Sequence, residues 1–343
     1  MFKSTFWVCA LTFTGAFLAP VASIAEVEGP KVNWDLNAHG GSRALTRGIE
    51  AMSEYISEQT GGNFSIKIHY GGALARPQDN IDSIKLGAFE MGLWSSAWSP
   101  AKAPALSALT LPFLPLESID EVARVHQSYL NHPVLVEEAA KWGAIYLTTQ
   151  LIPESSVMAK GDTPKSLDDL TGLRIRIIGN GARVAELLGA TPVSIPGFET
   201  YPSMQRGTMD GVSFPSYGYS AFKVDELSDW YSDDIKFGRL VTVSLVSKQA
   251  FEELPAQYQQ LLINSIPVAQ GALKDAYGGI EEVNFPKWKE MGIDRVSFDP
   301  AAIETMEIEN SESIYADWIA SASERGVPAQ ELLDFLLSEA SEN

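Results

Sequence analysis

The chain has 343 residues, 45% of them hydrophobic, and sets 44 acidic against 25 basic residues for a formal net charge of −19. That length and apolar content support two domains of ordinary size with separate cores and argue against intrinsic disorder. Such acidity excludes nucleic acid and anionic lipid as partners, and it requires any anion site to be a local basic spot within an acidic body.

Residues 1–25 carry one charge, Lys3, and an apolar run from Phe6 to Val21, ending Ala22-Ser23-Ile24-Ala25 before Glu26. This is the layout of a secretory signal peptide, so export with cleavage after Ala25 is expected. The only cysteine, Cys9, lies inside that segment, which removes disulfides, thiolate metal sites and cysteine nucleophiles from the mature chain together. No later run approaches the roughly 20 apolar residues that span a bilayer, so no membrane insertion of the mature chain is expected.

Residues 32–37 alternate as a half-buried strand does, and His39-Gly40-Gly41-Ser42 leads into a helix-period segment at 43–59 that ends at Thr60-Gly61-Gly62-Asn63. A strand at 64–70, a loop at 71–77, a helix to Leu86 and a short apolar strand at 90–94 follow. That alternation argues for a mostly parallel sheet flanked by helices. Beyond a helical stretch at 119–142 come a strand at 144–151, an arginine-bearing strand at 170–179, a helix at 182–188, a strand at 191–195 and a helix at about 201–209. A strand at 240–247, a long helical region from Pro255 to about Trp288 and two acidic amphipathic helices within 311–343 close the chain. With no repeat, low-complexity tract or flexible linker, the expected α/β architecture is two halves joined by strands that cross between them.

Signatures of catalysis and cofactors fail. Gly179-Asn180-Gly181 lacks the third glycine of a dinucleotide loop. His39, His69, His126 and His132 are scattered without metal-ligand spacing, and no serine sits in a Gly-x-Ser-x-Gly elbow. No metal and no cofactor are expected. A secreted hydrolase assembled from distant residues is the rival reading, and a binding module that signals to a sensor is a third.

Two kinds of cluster carry more. In Leu173-Arg174-Ile175-Arg176-Ile177 both arginines share one face of an apolar strand. Either they lie on a solvated face or pair with protein acids, or one points inward, where its planar, permanently charged fork would grip a carboxylate. Trp94-Ser95-Ser96-Ala97-Trp98 follows a strand end, where open α/β sheets place ligands, and Phe214-Pro215-Ser216-Tyr217-Gly218-Tyr219 forms a second aromatic loop. Core and turn packing compete as explanations for these rings. Rings from two halves closing on a small ligand would exclude water and strengthen a buried ion pair.

Six segments stand in one order within residues 32–265: Thr60-Gly61-Gly62 with Ile66-Lys67-Ile68, His69-Tyr70-Gly71-Gly72-Ala73-Leu74, Leu111-Pro112-Phe113-Leu114, Asp168-Asp169-Leu170-Thr171-Gly172-Leu173-Arg174-Ile175-Arg176, Gly189-Ala190-Thr191-Pro192-Val193 and Gln205-Arg206-Gly207-Thr208-Met209-Asp210-Gly211. In order and spacing they resemble the extracytoplasmic solute-binding subunit of tripartite ATP-independent periplasmic (TRAP) transporters, the DctP-like family. The resemblance implies a two-domain periplasmic binding protein fold, with residues 26–152 plus 239–277 in one domain and 153–238 plus 278–343 in the other. It implies a protein without catalysis that captures a small organic acid and delivers it to small and large membrane permease subunits.

Within that resemblance Arg176 is the residue that grips the ligand carboxylate, while Arg174 holds a structural, outward-facing position. The family's pocket positions fall on Trp94, Ser95 and Trp98 in the first domain and on Phe214 in the second, with the neighbourhood of His39, Tyr217 and Phe198 completing the candidate set. Sugar-acid binders of the family carry asparagine in a Gly-Gln-Glu-Asn run where this chain has Gly211-Val212-Ser213-Phe214. Hydroxyls buried against rings without hydrogen bonds would cost on the order of 1–3 kcal/mol each, which disfavours sugar acids. A second arginine upstream of the gripping strand is missing, since 154–161 offers only Lys160, so one carboxylate is expected. Two ligand classes stay open: a monocarboxylate with an apolar or aromatic body, or a zwitterion such as a betaine, dimethylsulfoniopropionate or ectoine whose cation sits among the rings.

Overall fold

A computed structural model describes residues 27–341; the expected leader and Cys9 lie outside the described residues. The first half runs β1 (Val32–Asn37), α1 (Arg47–Gln59), β2 (Phe64–His69), α2 (Asn80–Lys85), β3 (Met91–Ser95), α3 (Ile119–Leu130), α4 (Pro133–Ala140) and β4 (Ala144–Thr149). The second half runs β5 (Ser156–Ala159), β6 (Arg174–Arg176), α5 (Gly181–Leu187), β7 (Thr191–Val193), α6 (Thr200–Gln205), β8 (Gly211–Phe214), α7 (Ser216–Ala221) and β9 (Trp230–Ser232). The chain then returns through β10 (Thr242–Ser247), α8 (Lys248–Glu253), α9 (Ala256–Glu290), β11 (Asp294–Arg295), α10 (Pro300–Ser323) and α11 (Ala329–Ser341).

Two mixed sheets result, ordered β2-β1-β3-β10-β4 and β11-β9-β5-β8-β6-β7. Each contains one strand opposed to the rest: β10 is antiparallel to β3 and β4, and β5 is antiparallel to β8 and β9. These are the two strands that follow a crossing. A chain leaving one sheet at the carboxyl ends of its strands enters the other sheet from the same side, so it must run against its new neighbours. The crossing segments bond to each other, Phe237 N–H donating to Ser155 O at 3.0 Å, Ser155 N–H to Gly238 O at 3.2 Å and Gln150 N–H to Thr242 O at 2.8 Å.

The first half folds as its periodicity dictates. Ile49, Met52 and Ile56 line one face of α1 and are buried with Trp34, Leu36, Phe64 and Ile66 of the adjoining strands. The predicted helix at 119–142 is two helices, because Pro133 has no N–H to continue α3 and instead opens α4 at its first position. Ser118 and Glu121 cap α3 reciprocally.

The second half departs more. The arginine strand shrinks to Arg174–Arg176, bounded by Gly172 and Gly179 at φ of 83° and 71°. Phe214, read as the start of an aromatic loop, ends the buried strand β8, the loop residues from Ser216 onward form α7, and β5 and β9 had no expectation in the sequence.

Helix α9 spans both halves, packing on α1 near its start and on α7 and β11 near its end. Helix α10 starts at Pro300, and residues 300–341 do not stay with the second half. Just before it Phe298 N–H donates to Asp234 Oδ2 at 2.9 Å, near its end Trp318 Nε1 donates to Ser107 Oγ at 3.0 Å, and α11 packs on α3 of the first half.

Candidate functional site

The carboxyl ends of β1, β3, β6 and β8 converge on a cavity of about 150 Å³ between the halves. The first half supplies His39, Arg43 and Trp98, the second Arg176, Phe214 and Tyr217, and the crossing segment Phe237 and Arg239. Among the described residues no aspartate or glutamate lines it.

Arg176 is 5% exposed and, among the described residues, has no carboxylate partner. Its Nε donates to Ile195 O at 3.0 Å, Nη1 lies 3.5 Å from Ser213 O, and the guanidinium carbon stands 4.5 Å from the centroid of the Phe214 ring. Burial in this apolar setting lowers its pKa to about 10. Arg174, on the same face of β6 but at its start, is paired outside the cavity: its Nε and Nη2 hold both oxygens of Asp210 at 2.9 and 2.6 Å. The inward arginine and the protein-paired arginine are therefore both present, two residues apart.

Four further candidates converge with Arg176. Phe214 packs under it, Tyr217 closes the same wall, and Trp98 meets the His39 ring edge to face with centroids 4.9 Å apart. His39 brings its ring to the cavity, and the carbonyls of His39 and Gly41 accept from Arg43 Nη1 at 2.6 and 2.9 Å. Its Nδ1 is buried without a partner, and burial, with Arg43 nearby, lowers its pKa to about 3, so the imidazole is neutral.

Three candidates lie elsewhere. Trp94 is fully buried in the core with Ile81, Ile84 and Phe89, its indole N–H donating to Gln78 O at 3.2 Å. Strand β3 is buried at every position, and the Trp94 ring packs among Ile81 and Ile84 of α2, on the core side and away from the cleft. Ser95 is also fully buried; its hydroxyl donates to Val241 O at 2.7 Å and accepts from Ala97 N, tying a crossing segment to the end of β3. Phe198 is 74% exposed on a one-turn helix whose first residue, Gly197, lines the cavity instead.

Sequence reasoning missed Arg43 and Arg239. Arg43 was counted as the first helical residue, yet α1 starts four residues later and Arg43 belongs to the loop after the carboxyl end of β1, a position that itself marks ligand contacts in α/β sheets. Arg239 lines the cavity from the crossing segment but is paired with a protein acid, its Nε 3.2 Å from Glu154. Among the described residues no cluster of three or more histidine, cysteine or acidic side chains could hold a metal ion, and no helix is long and apolar enough to cross a membrane.

Residues 39–321 match the family described as bacterial extracellular solute-binding protein, family 7, DctP. The chain is similar to the monocarboxylate 2-oxoacid-binding periplasmic protein of Nostoc sp., with 26% identity covering 73% of this chain and 70% of that one. In fold it is similar to a TRAP solute-binding protein of an unidentified marine microbe, specific for aromatic acids and solved with 3-hydroxybenzoate, at TM-score 0.78 and 22% identity, covering 92% and 99% of the two chains. It is likewise similar to the periplasmic ectoine-binding protein of Halomonas elongata, at TM-score 0.77 and 19% identity, covering 91% and 100%.

Proposed function

The chain belongs to the DctP family of bacterial extracellular solute-binding proteins, and from that premise we propose that its cleft captures a small organic carboxylate with an apolar or aromatic body. As a TRAP solute-binding protein it binds and delivers solute to membrane permease subunits and catalyses no reaction. The observation that carries the ligand class is Arg176: a buried guanidinium with no acid of its own, in a cavity walled by rings. A carboxylate entering there neutralises it bidentately, at low dielectric and out of water. Trp98, Phe214 and Tyr217 then enclose the remainder. The volume of about 150 Å³ is on the scale of the cavity that holds one benzene ring, about 150 Å³, which favours a single-ring or short-chain acid over a sugar acid.

The two halves act as domains that close about the crossing segments at 150–155 and 233–241, the leader is removed after Ala25, and the mature protein works in the periplasm. A zwitterion such as ectoine is the second reading, carried by the likeness to the Halomonas elongata protein. Its cation would have to rest on the rings, since among the described residues no acid lines the cavity. A thermal-shift and calorimetric series of benzoate, short 2-oxo acids and ectoine tests both. Benzoate or an oxo acid raising the melting temperature, with the shift lost in Arg176→Met, is the expected result. Binding of ectoine alone would replace the first reading with the second, and turnover of any of them would overturn both.

A further inference from the structure

A second guanidinium reaches the same cavity from the opposite half. Arg43 makes no ion pair among the described residues; its Nη1 is held by the carbonyls of His39 and Gly41. It lies across the backbone of Gly40, whose φ is 69° and where a Cβ would stand 2.6 Å from Nη1. The glycine thus leaves the space in which the guanidinium is seated, and among the described residues Nη2 and Nε carry no hydrogen bond. Beside it, His39 Nδ1 is buried and unpartnered, and at the Arg176 end Ser213 Oγ is equally so. With Arg239 neutralised by Glu154, the lining holds two guanidiniums without acids and two orphaned polar atoms divided between its ends. One carboxylate at Arg176 leaves His39 Nδ1 buried without a partner, which is costly, and leaves the half-buried Arg43 fork beside it unused.

We infer that the ligand is a carboxylate bearing a second oxygen acceptor, a hydroxyl, oxo or further carboxylate group, which Arg43 receives from the first half. Arg43 is then a specificity-determining residue, and a ligand held by one guanidinium from each half is also the tie that keeps the cleft shut. The inference rests on the reading that Arg176 takes the first carboxylate.

Calorimetry with benzoate, 3-hydroxybenzoate and isophthalate on the wild-type protein and on Arg43→Met separates the two levels. The wild type is expected to bind at least one of the substituted acids tenfold or more tightly than benzoate. In Arg43→Met that preference falls to about twofold or less, because the substituted acids lose more affinity than benzoate does. Should Arg43→Met fail to fold, Arg43→Gln, which keeps a donor for the two carbonyls and removes the charge, is expected to give the same result. A wild type that binds benzoate as well as both substituted acids, or a variant that weakens all three equally, overturns the inference and leaves the role of Arg176 standing. Absence of binding to all three acids by the wild type brings down the Arg176 reading and this inference with it.

Discussion

Arg174 and Arg176 stand two residues apart on β6, and Trp94 and Trp98 stand four apart at the end of β3; in each pair one member faces the cavity and the other serves the fold. The rule that separates them is opposite for the two chemistries. Of the arginines, the buried one is the candidate, because it has no acid, while the exposed one is spent on Asp210. Of the tryptophans, the fully buried one belongs to the core with its N–H satisfied, and the half-buried one meets the cleft. Burial costs a charge and favours a ring, so in these two pairs the cavity member is the charge that is buried without an acid and the tryptophan that is left half-buried.

The sharpest way to break this contrast is to truncate the rings. Trp94→Ala removes the largest side chain of its core layer and is expected to lower the unfolding free energy by about 3–5 kcal/mol, read as a shifted urea midpoint. Trp98→Ala should cost far less stability and weaken ligand binding instead. Equal losses of stability from the two variants would show that Trp98 is a core residue as well.

The arginines are separated next. Arg176→Met is expected to weaken carboxylate binding by about 2–5 kcal/mol, as for one partner of a buried charge pair. The ligand-free protein should at the same time become more stable. Burial holds the guanidinium pKa at about 10 in place of 12.5, a desolvation of the order of 3 kcal/mol that methionine removes. Calorimetric titration and the melting temperature without ligand check the two halves of this expectation. A variant that binds poorly and melts lower would make Arg176 a structural cation.

Much of this was legible in the residues. The strands at 32–37, 64–69 and 91–95 showed because they are five or six residues long, alternate or run apolar, and are punctuated by glycine turns. The arginine strand showed because two cations among isoleucines are conspicuous. By contrast, β5, β8 and β9 have only three or four residues each, too few to display a period. Which tryptophan faces the cleft depended on tertiary packing, since Trp94 is drawn into the core by Ile81, Ile84 and Phe89 while Trp98 lies beyond the strand end. Arg43 was hidden by a different cause: its apolar-periodic neighbours extend the helix pattern backward over a loop, and only the observed start of α1 at Arg47 releases it.

A buried charge that does have partners extends the contrast. Glu138, 4% exposed, accepts from the N–H groups of Ala105 and Leu106 at 2.7 and 3.0 Å, yet burial still raises its pKa from 4.5 to about 7. A carboxyl that holds its proton more tightly folded than unfolded supports the fold fully below about pH 4.5, and that support is lost as pH rises through about 7, up to about 3 kcal/mol in all. Urea denaturation of the wild type and Glu138→Gln at pH 5 and pH 8 reads this as a difference. The wild type should lose stability relative to the variant on going to pH 8, and a difference independent of pH would mean that the two backbone donors fully offset the desolvation.

The smallest effect belongs to Arg174. Its bidentate contact with Asp210 is half exposed, and Asp210 keeps the Arg174 backbone N–H at 2.9 Å whatever the side chain. Arg174→Ala should therefore cost about 0.2–1 kcal/mol, less at high salt, and leave carboxylate affinity unchanged. The sign with pH is the reverse of that for Glu138. Hydrogen bonding from the Arg174 side chain, against some desolvation, holds the Asp210 pKa below its ordinary value, so this contribution is present above the unfolded carboxyl pKa and disappears on acidification. If Arg174→Ala instead abolished binding while Arg176→Met left it intact, the two residues would exchange roles, and burial without a partner would no longer identify the anion site of this chain.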